Sequence, residues 1–391
     1  MDFGLVYEMQ TLEGRTPRRD YDLLWNSATQ AVKADEVGFT HVWAVEHHFR
    51  EHFSHCAAPE IWLAAIAQRT ERIRIGHGVV QALPAFNHPV RVAERAAALD
   101  ILSNGRLDLG TGRSVNLYEL ASWGITESTR EMWRESVELI GKIWTSGFEP
   151  VSFNGQHVQL HDRIVLPRPL QDPHPPLWVA ASSPDSYRLA GELGLGVLGF
   201  GMALDPDAMS RRITEYRTAL TNSTPAGAFN NDQVALFMMA YCAETRAQAR
   251  RIAEHAFNWY LAETLKSFLG WAGTGQALPK GYEWYIDVAR NASENSAHNF
   301  DYLLDGGMIL CGTPDDLIET IERYEAIGTT QMLMGISIGD ITHNDVLRSI
   351  ELIGNEVIPH FTNKTTAVAI AREALDVAAA ASPKQRGDVV A

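Results

Sequence analysis

Two histidines and a glutamate stand side by side in the sequence Glu46-His47-His48. Imidazole is the side chain best suited to proton transfer near neutral pH, and a neighbouring carboxylate can adjust its protonation. The cluster directly follows residues 41–45, an apolar run that predicts a buried strand. Because ligands and catalytic groups gather at the carboxyl ends of strands in α/β proteins, we predict that His47, Glu46 and His48 are catalytic.

A second candidate group is the sequence Gly-Thr-Gly-Arg-Ser at residues 110–114, where the strand predicted at 106–110 ends. Glycines allow a planar ring or a phosphate to approach the backbone, and an arginine can bind an anion through two hydrogen bonds. We interpret Gly112 and Arg113 as candidate cofactor-binding residues. A turn followed by a solvated arginine is the alternative, and this segment alone does not choose between the two.

A third group follows the strand predicted at 177–181, where Ser182, Ser183 and Ser186 surround the start of a predicted helix. Hydroxyls and free backbone N–H groups at a helix N-terminus bind phosphate well. Taken alone, however, the pattern is more typical of ordinary helix capping by Ser182 or Ser183, with Pro184 in the first turn.

The elements that position these residues alternate between strand and helix along most of the chain. The predicted strands are residues 1–9, 41–45, 72–80, 106–110, 177–181, 196–200, 233–242 and 330–336. The predicted helices are residues 21–37, 59–68, 89–102, 129–144, 185–193, 207–220, 245–257 and onward, 314–327 and 343–357. This order indicates a parallel sheet, and about eight strands favour a closed (β/α)8 TIM barrel over an open doubly wound sheet.

Three segments interrupt this alternation of strands and helices. Residues 149–160 carry Asn154-Gly155 between alternating residues, which predicts an inserted hairpin. Residues 262–307 mix large aromatic side chains with several glycines, which favours a lid over a linker. We expect one barrel domain over residues 1–363 and a partly disordered tail over 364–391.

Composition excludes several classes of protein. The 391 residues are 46% hydrophobic and 21% charged, as in ordinary soluble globular proteins. The formal net charge of −15 disfavours nucleic acid and anionic membrane as partners. The three cysteines fit no zinc or redox spacing, and neither a signal peptide nor a membrane span is evident. We therefore expect a cytoplasmic protein with reduced thiols.

Together these motifs resemble the bacterial luciferase-like flavin-dependent monooxygenase family, and the resemblance extends over residues 1–361. Its most specific part is the sequence Val42-Trp43-Ala44-Val45-Glu46-His47-His48-Phe49. The other matching segments are residues 87–91, 99–106, 110–113, 177–186, 347–352 and 356–361. The combination is specific for the family and not for any one substrate.

The resemblance implies a TIM barrel that binds reduced FMN at the carboxyl ends of its strands. It places His47 at the flavin peroxide chemistry and a non-proline cis peptide under the flavin ring near Gly78 and Val79. The residues implied to surround the FMN phosphate are Arg113, Ser182, Ser183, Ser186 and, as a second arginine, Arg130. At position 182, luciferase itself has a glutamate, so that contact is only approximate.

The function expected from this resemblance is a two-component monooxygenase in which FMNH2 and O2 form a flavin C4a-peroxide that oxygenates a small apolar organic substrate. A separate flavin reductase would supply FMNH2, because the sequence offers no credible nicotinamide-binding site. Residues 194–199 match the dinucleotide-binding pattern Gly-x-Gly-x-x-Gly, but they enter a strand instead of leaving one. His47 would act as acid or base, with Glu46 or His48 adjusting its protonation. From composition alone, we expect Phe3, Tyr7, Phe49 and Trp271 to enclose the substrate.

Other interpretations remain open at this stage. The first alternative is an F420-dependent oxidoreductase of the same superfamily, which would transfer hydride without oxygen. A non-catalytic partner subunit is a third possibility. The run of histidines at 47, 48, 52 and 55 with Cys56 suggests a metal site, but it has no carboxylate at ligand spacing, and we expect no metal. Helices 59–68 and 89–102 match the family's dimer-forming region, which predicts a homodimer, although they could equally be plain barrel helices.

Overall fold

The computed structural model describes residues 1–12, 16–114, 116–125, 129–201, 204–269 and 299–362. The strands are β1 (Asp2–Tyr7), β2 (His41–Ala44), β3 (Arg74–Gln81), β4 (Leu107–Gly112), β5 (Val151–Asn154), β6 (Gln159–Arg163), β7 (Leu177–Ala181), β8 (Gly196–Phe200), β9 (Val234–Cys242), β10 (Leu310–Gly312) and β11 (Gln331–Gly335). The helices are α1 (Pro17–Glu36), α2 (Pro59–Ala67), α3 (Pro89–Leu102), α4 (Leu117–Ser122), α5 (Thr129–Thr145), α6 (Pro184–Glu192), α7 (Pro206–Leu220), α8 (Arg246–Leu269), α9 (Phe300–Asp305), α10 (Pro314–Ala326) and α11 (His343–Leu352), which continues into a π-helical turn (Ile353–Val357).

Eight parallel strands close into a barrel in the order β1-β2-β3-β4-β7-β8-β9-β11. Closure is shown by β11, which pairs with β9 on one side and with β1 on the other. The short strand β10 adds to the carboxyl-terminal half of β9, and β5 and β6 form a separate antiparallel hairpin. The predicted (β/α)8 barrel and the predicted hairpin are therefore both confirmed.

The barrel strands are apolar because helices cover their outer face and packed side chains fill the interior. All residues of β9 are buried, for example, and so are all those of β2. Trp43 on β2 is fully buried, and its indole lies so close to Gly76 on β3 that a Cβ there would be 2.2 Å from a ring carbon. Glycine at position 76 thus makes room for the large side chain that forms part of the interior.

Most predicted boundaries agree with the structure to within a few residues. The bounds of α3, β7 and β8 are those predicted, and proline begins many of the helices where its missing N–H is harmless. Three short elements, α4, α9 and β10, were not predicted. The helix predicted at 343–357 instead changes to a π-helical turn at residue 353.

The predicted lid lies only partly in the described chain. Residues 262–269 are the last turns of α8, and residues 300–305 form α9. The remainder of the lid, including Trp271, and the predicted tail at 364–391 lie outside the described residues. Within the part of the chain that the structure describes, no helix combines the length and apolar character needed to cross a membrane.

Candidate active site

The carboxyl ends of the barrel strands enclose a cavity of about 440 Å³. Two of the predicted catalytic residues, Glu46 and His47, line it, and so do Val6, Val45 and Leu198 from the apolar interior. All the predicted cofactor-binding residues also line this cavity: Gly78, Val79, Gly112, Arg113, Arg130, Ser182, Ser183 and Ser186. Side chains from separate strands thus meet at one site, as expected for the carboxyl-terminal face of a TIM barrel.

His47 is held by a carboxylate that was not predicted. Its Nδ1 lies 2.9 Å from Oε1 of Glu119 on α4, and Glu119 is completely buried. Ser114 Oγ (2.6 Å) and Gln81 Nε2 (2.9 Å) donate to the other carboxylate oxygen, and the His48 N–H donates to Oε1 (3.2 Å). Burial by itself raises the pKa of Glu119, but the charge of His47 and these hydrogen bonds outweigh it and lower the pKa to about 2.

This contact selects one tautomer of His47. An ionised carboxylate can only accept a hydrogen bond, so Nδ1 of His47 carries the proton that is donated to Glu119. In the neutral imidazole, Nε2 is then the nitrogen that accepts a proton. A histidine that lines a cavity with Nε2 available is placed to exchange a proton with a bound molecule.

Glu46 has a different role from the one predicted. Its carboxylate accepts hydrogen bonds from the Gln81 N–H (2.7 Å) and from Asn87 Nδ2 (2.8 Å), and it lies 3.2 Å from His48 Nε2. Glu46 therefore ties the end of β2 to the end of β3 and to the start of α3. The expectation that Glu46 or His48 adjusts His47 is corrected, because the carboxylate bonded to His47 is Glu119.

His48 does not line the cavity. Its ring packs against an aromatic group formed by Phe49, Phe86 and Trp123, with ring centroids 5.7 to 6.0 Å away. The hydrogen bond to Glu46 raises the pKa of His48, with burial opposing that rise. The structure therefore places His48 behind the site wall instead of at the reacting groups.

One part of the wall is suited to an anion. Ser183 caps α6 by accepting from the Ser186 N–H, and Ser186 Oγ accepts from the Ser182 N–H (3.0 Å). Arg113, at the end of β4, lines the same cavity, and Arg130 lies 3.9 Å from Asp185. Ser183 is thus both the cap of α6 and a cavity residue, and Ser182 and Ser186 line the cavity beside it. Two guanidinium groups and a helix N-terminus provide the donors that a phosphate requires.

Another part of the wall is suited to a planar ring. The Gly78-Val79 peptide bond is cis, as predicted. A Cβ at Gly112 would lie 2.5 Å from Val79 Cγ2, so glycine there keeps the space beside Val79 open. With the apolar residues Val6 and Val179 also on the wall, the site fits a cofactor that joins a flat, largely apolar ring system to a phosphate. FMN has this form.

The predicted substrate pocket was wrong in its residues. Phe3 is buried against Phe361, with ring centroids 5.4 Å apart, and Tyr7 is buried against Trp62. Phe49 is 55% exposed on the surface. None of the three lines the cavity, and Trp271 lies outside the described residues.

The reason lies in the alternation of side chains along β1. Successive residues of a strand point to opposite faces. Val6, and Glu8 just beyond the strand, face the cavity, whereas Phe3 and Tyr7 face the helices. The aromatic residues that do line the cavity are Phe53, Trp43, Trp133, Phe200, Phe237 and Tyr260.

Residues 6–331 match the family model described as luciferase-like monooxygenase. The chain therefore belongs to this family, as its sequence motifs indicated, and it is an enzyme of the flavin-dependent monooxygenase type. Among the described residues, His, Cys, Asp and Glu side chains nowhere form a group of three or more that could hold a metal ion.

Several characterised proteins are similar over most or part of the chain. The oxygenase component of the flavin-dependent trigonelline monooxygenase of Acinetobacter baylyi is 27% identical, covering 93% of this chain and 96% of that protein. The oxygenating constituent of 3,6-diketocamphane monooxygenase from Pseudomonas putida, solved with FMN, shares the fold with a TM-score of 0.73 and 24% identity, covering 92% and 98% of the two chains. An F420-dependent glucose-6-phosphate dehydrogenase of Amycolatopsis mediterranei is 34% identical over 47% of this chain and 57% of its own length.

The depressed pKa of Glu119 predicts how acid affects stability. A carboxyl group whose folded pKa (about 2) lies below its ordinary value of 4.5 stabilises the folded state above pH 4.5, and this contribution is lost as the pH falls toward 2. We expect Glu119→Gln to lower the free energy of unfolding at pH 7 by roughly 2 kcal/mol, with the deficit shrinking below pH 4.5. Chemical denaturation from pH 7 downward measures it.

Glu138→Gln is the matched control, because Glu138 forms an exposed pair with Arg134 on α5. This control is expected to change stability by less than about 0.5 kcal/mol at every pH. A deficit of Glu119→Gln that stays constant or grows on acidification would show that Glu119 is not held ionised by the site.

Proposed function

We propose that this protein is the oxygenase component of a two-component flavin-dependent monooxygenase, which takes FMNH2 from a separate reductase and uses O2 to oxygenate a small organic substrate. The observation that carries the proposal is that phosphate donors and an oriented histidine line one largely apolar cavity. The similarity to a named oxygenase component supports a separate reductase. The fold shared with an FMN-bound monooxygenase supports FMN as the cofactor.

In this proposal each part of the wall has a task. Arg113, Arg130 and the serines at the start of α6 hold the phosphate, and the apolar wall beside Gly78 and Val79 receives the ring. When bound, reduced FMN supplies the electrons that activate O2. His47 gives or takes a proton at Nε2, and Glu119 keeps its ring in place and stabilises the positive charge when Nε2 is protonated. The apolar wall excludes water, which suppresses unproductive release of peroxide.

A second candidate is hydride transfer with F420 as the cofactor. The observation in its favour is the 34% identity to an F420-dependent dehydrogenase, although that match covers less than half of the chain. A comparison of the affinities of the protein for F420 and for FMN distinguishes this candidate from the monooxygenase function.

We also propose that α2 and α3 form the interface of a homodimer. Ile61 on α2 is 71% exposed, and Ile101 and Leu102 at the end of α3 are exposed as well. Exposed apolar side chains on two neighbouring helices are typical of a surface that is covered in an assembly.

Arg113 is expected to bind the phosphate and not the ring. We therefore predict that Arg113→Met weakens FMN binding by about 10- to 100-fold, since a charge-assisted hydrogen bond is lost, while riboflavin binding stays unchanged. Titration of flavin fluorescence measures both affinities. Arg134→Met on the outer face of α5 is the control and is expected to change neither. Equal weakening of FMN and riboflavin would contradict the assignment.

The reaction with oxygen tests the proposed function. We expect the protein loaded anaerobically with FMNH2 and then mixed with O2 to show a long-lived absorbance that belongs to neither reduced nor oxidised FMN. In His47→Ala this species is expected to decay at least about 10-fold faster or to transfer no oxygen to substrate, because the proton-transfer group is missing. Rapid-mixing spectroscopy with a hydrogen peroxide assay measures the outcome. Immediate reoxidation by the wild type, together with tighter binding of F420 than of FMN, would favour the hydride-transfer function.

A further inference from the structure

The cavity wall includes a positively charged side chain, Arg50, that is not among the residues assigned to the phosphate. Arg50 lies in the loop after β2, and its guanidinium carbon is 4.1 Å from the centroid of the Phe53 ring. One of its nitrogens donates to Ser267 Oγ on α8 at 2.6 Å. All three residues line the cavity, so the guanidinium is held against the wall by one ring and one neutral hydroxyl.

Arg50 forms no direct ion pair with a described carboxylate, although Glu119, Glu8 and Glu263 act on its charge from a longer distance. Among the residues that the structure describes, no carboxylate lies within ion-pair distance of its guanidinium. Burial lowers the pKa of Arg50, yet a guanidinium remains charged at neutral pH. Burying a charge without a direct ion pair costs free energy, and a ligand of opposite charge in contact with the guanidinium would reduce that cost.

The nearby carboxylate of Glu8 is occupied by other partners. Tyr260 donates to its Oε1 at 2.7 Å, and Gln10 donates to its Oε2 at 2.8 Å. Burial raises the pKa of Glu8, with the charges of His47 and Arg50 opposing that rise, and burial also keeps Tyr260 protonated as a donor by raising its pKa. Glu8 therefore acts on Arg50 only through its charge, because both of its oxygens are hydrogen-bonded to Tyr260 and Gln10.

The position of Arg50 relates it to the reacting groups. The Phe53 ring beneath the guanidinium is 6.1 Å from the His47 ring and 5.2 Å from the Tyr260 ring, measured between centroids. Arg50 follows β2, whereas Arg113 ends β4 and the serines follow β7, with β3 between these groups in the barrel. A molecule held by Arg50 would thus lie against the aromatic wall near His47. The residues that bind it would follow other strands than the residues of the phosphate site.

We propose that Arg50 and Ser267 form a subsite for the carboxylate of an organic-acid substrate whose apolar body lies on Phe53 and Tyr260, near His47. This deepens the proposed function, on which it rests. The planar guanidinium matches a carboxylate through two parallel hydrogen bonds. A local cation is also required for an acidic substrate, because the net charge of −15 otherwise opposes the approach of an anion.

The test compares carboxylates with their uncharged amides of the same shape. The probes are benzoate and benzamide, 2-naphthoate and 2-naphthamide, and octanoate and octanamide, titrated by calorimetry into the full chain with and without FMN. We expect the carboxylate to bind at least about 10-fold more tightly than its amide in one or more pairs, since a charge-assisted bidentate contact is gained.

Variants assign the preference to Arg50. Arg50→Gln is expected to abolish the preference. Arg50→Lys is expected to keep only part of it, because lysine retains the positive charge but lacks the two parallel N–H donors of the guanidinium. The matched control Arg134→Gln removes an exposed arginine from α5 and is expected to keep the full preference. Circular dichroism and FMN titration of each variant confirm that the fold and the cofactor site are intact.

The proposal is overturned if the wild type prefers the carboxylate in none of the pairs, a result that does not depend on any variant folding. It is also overturned if Arg50→Gln keeps the preference, or if Arg50→Gln loses FMN binding, which would place Arg50 at the cofactor. The titration without FMN separates this proposal from the proposed function. A carboxylate preference there, with a failed oxygen reaction, would refute only the monooxygenase function.

Discussion

The hydrogen bond between His47 and Glu119 is the interaction on which the site depends. A fully buried carboxylate is costly unless its oxygens are satisfied, and Glu119 meets that requirement through His47, Gln81 and Ser114. Ser114 directly follows Arg113, so the carboxylate that orients the histidine also fixes the backbone beside the arginine that we propose binds the phosphate. One buried charge thus sets the relative positions of the two groups that our proposal assigns to proton transfer and to cofactor binding.

Gln81 extends this constraint across the barrel. Its backbone N–H and its side chain contact Glu46 at the end of β2, and the same side chain donates to Glu119 on α4. Gln81 ends β3, the strand that contains the cis peptide at Gly78-Val79. The loops after β2, β3 and β4 are therefore joined by one polar network, and its members Glu46, Gln81 and Ser114 form a polar part of the cavity wall beside His47.

The alternating strands and helices could be predicted because barrel strands are buried on both faces. Such strands appear in the sequence as apolar runs, and glycine or proline residues mark the ends of the elements between them. The same runs place Ser183 and Arg113 at strand ends, whereas their role in phosphate binding was implied by the family resemblance. Glu119 was missed because its contact with His47 spans 72 residues and is created only when α4 packs across the strand ends. The side chains of Phe3 and Tyr7 were misplaced because a shift of one residue along a strand exchanges the cavity face for the helix face.

The most direct test of the proposed cofactor site is a crystal structure of the protein with FMN. We expect the phosphate within hydrogen-bonding distance of Arg113 and the start of α6, and the ring between the Gly78-Val79 peptide and His47. Density for the phosphate away from the start of α6, or for the ring outside the barrel end and away from His47, would contradict it.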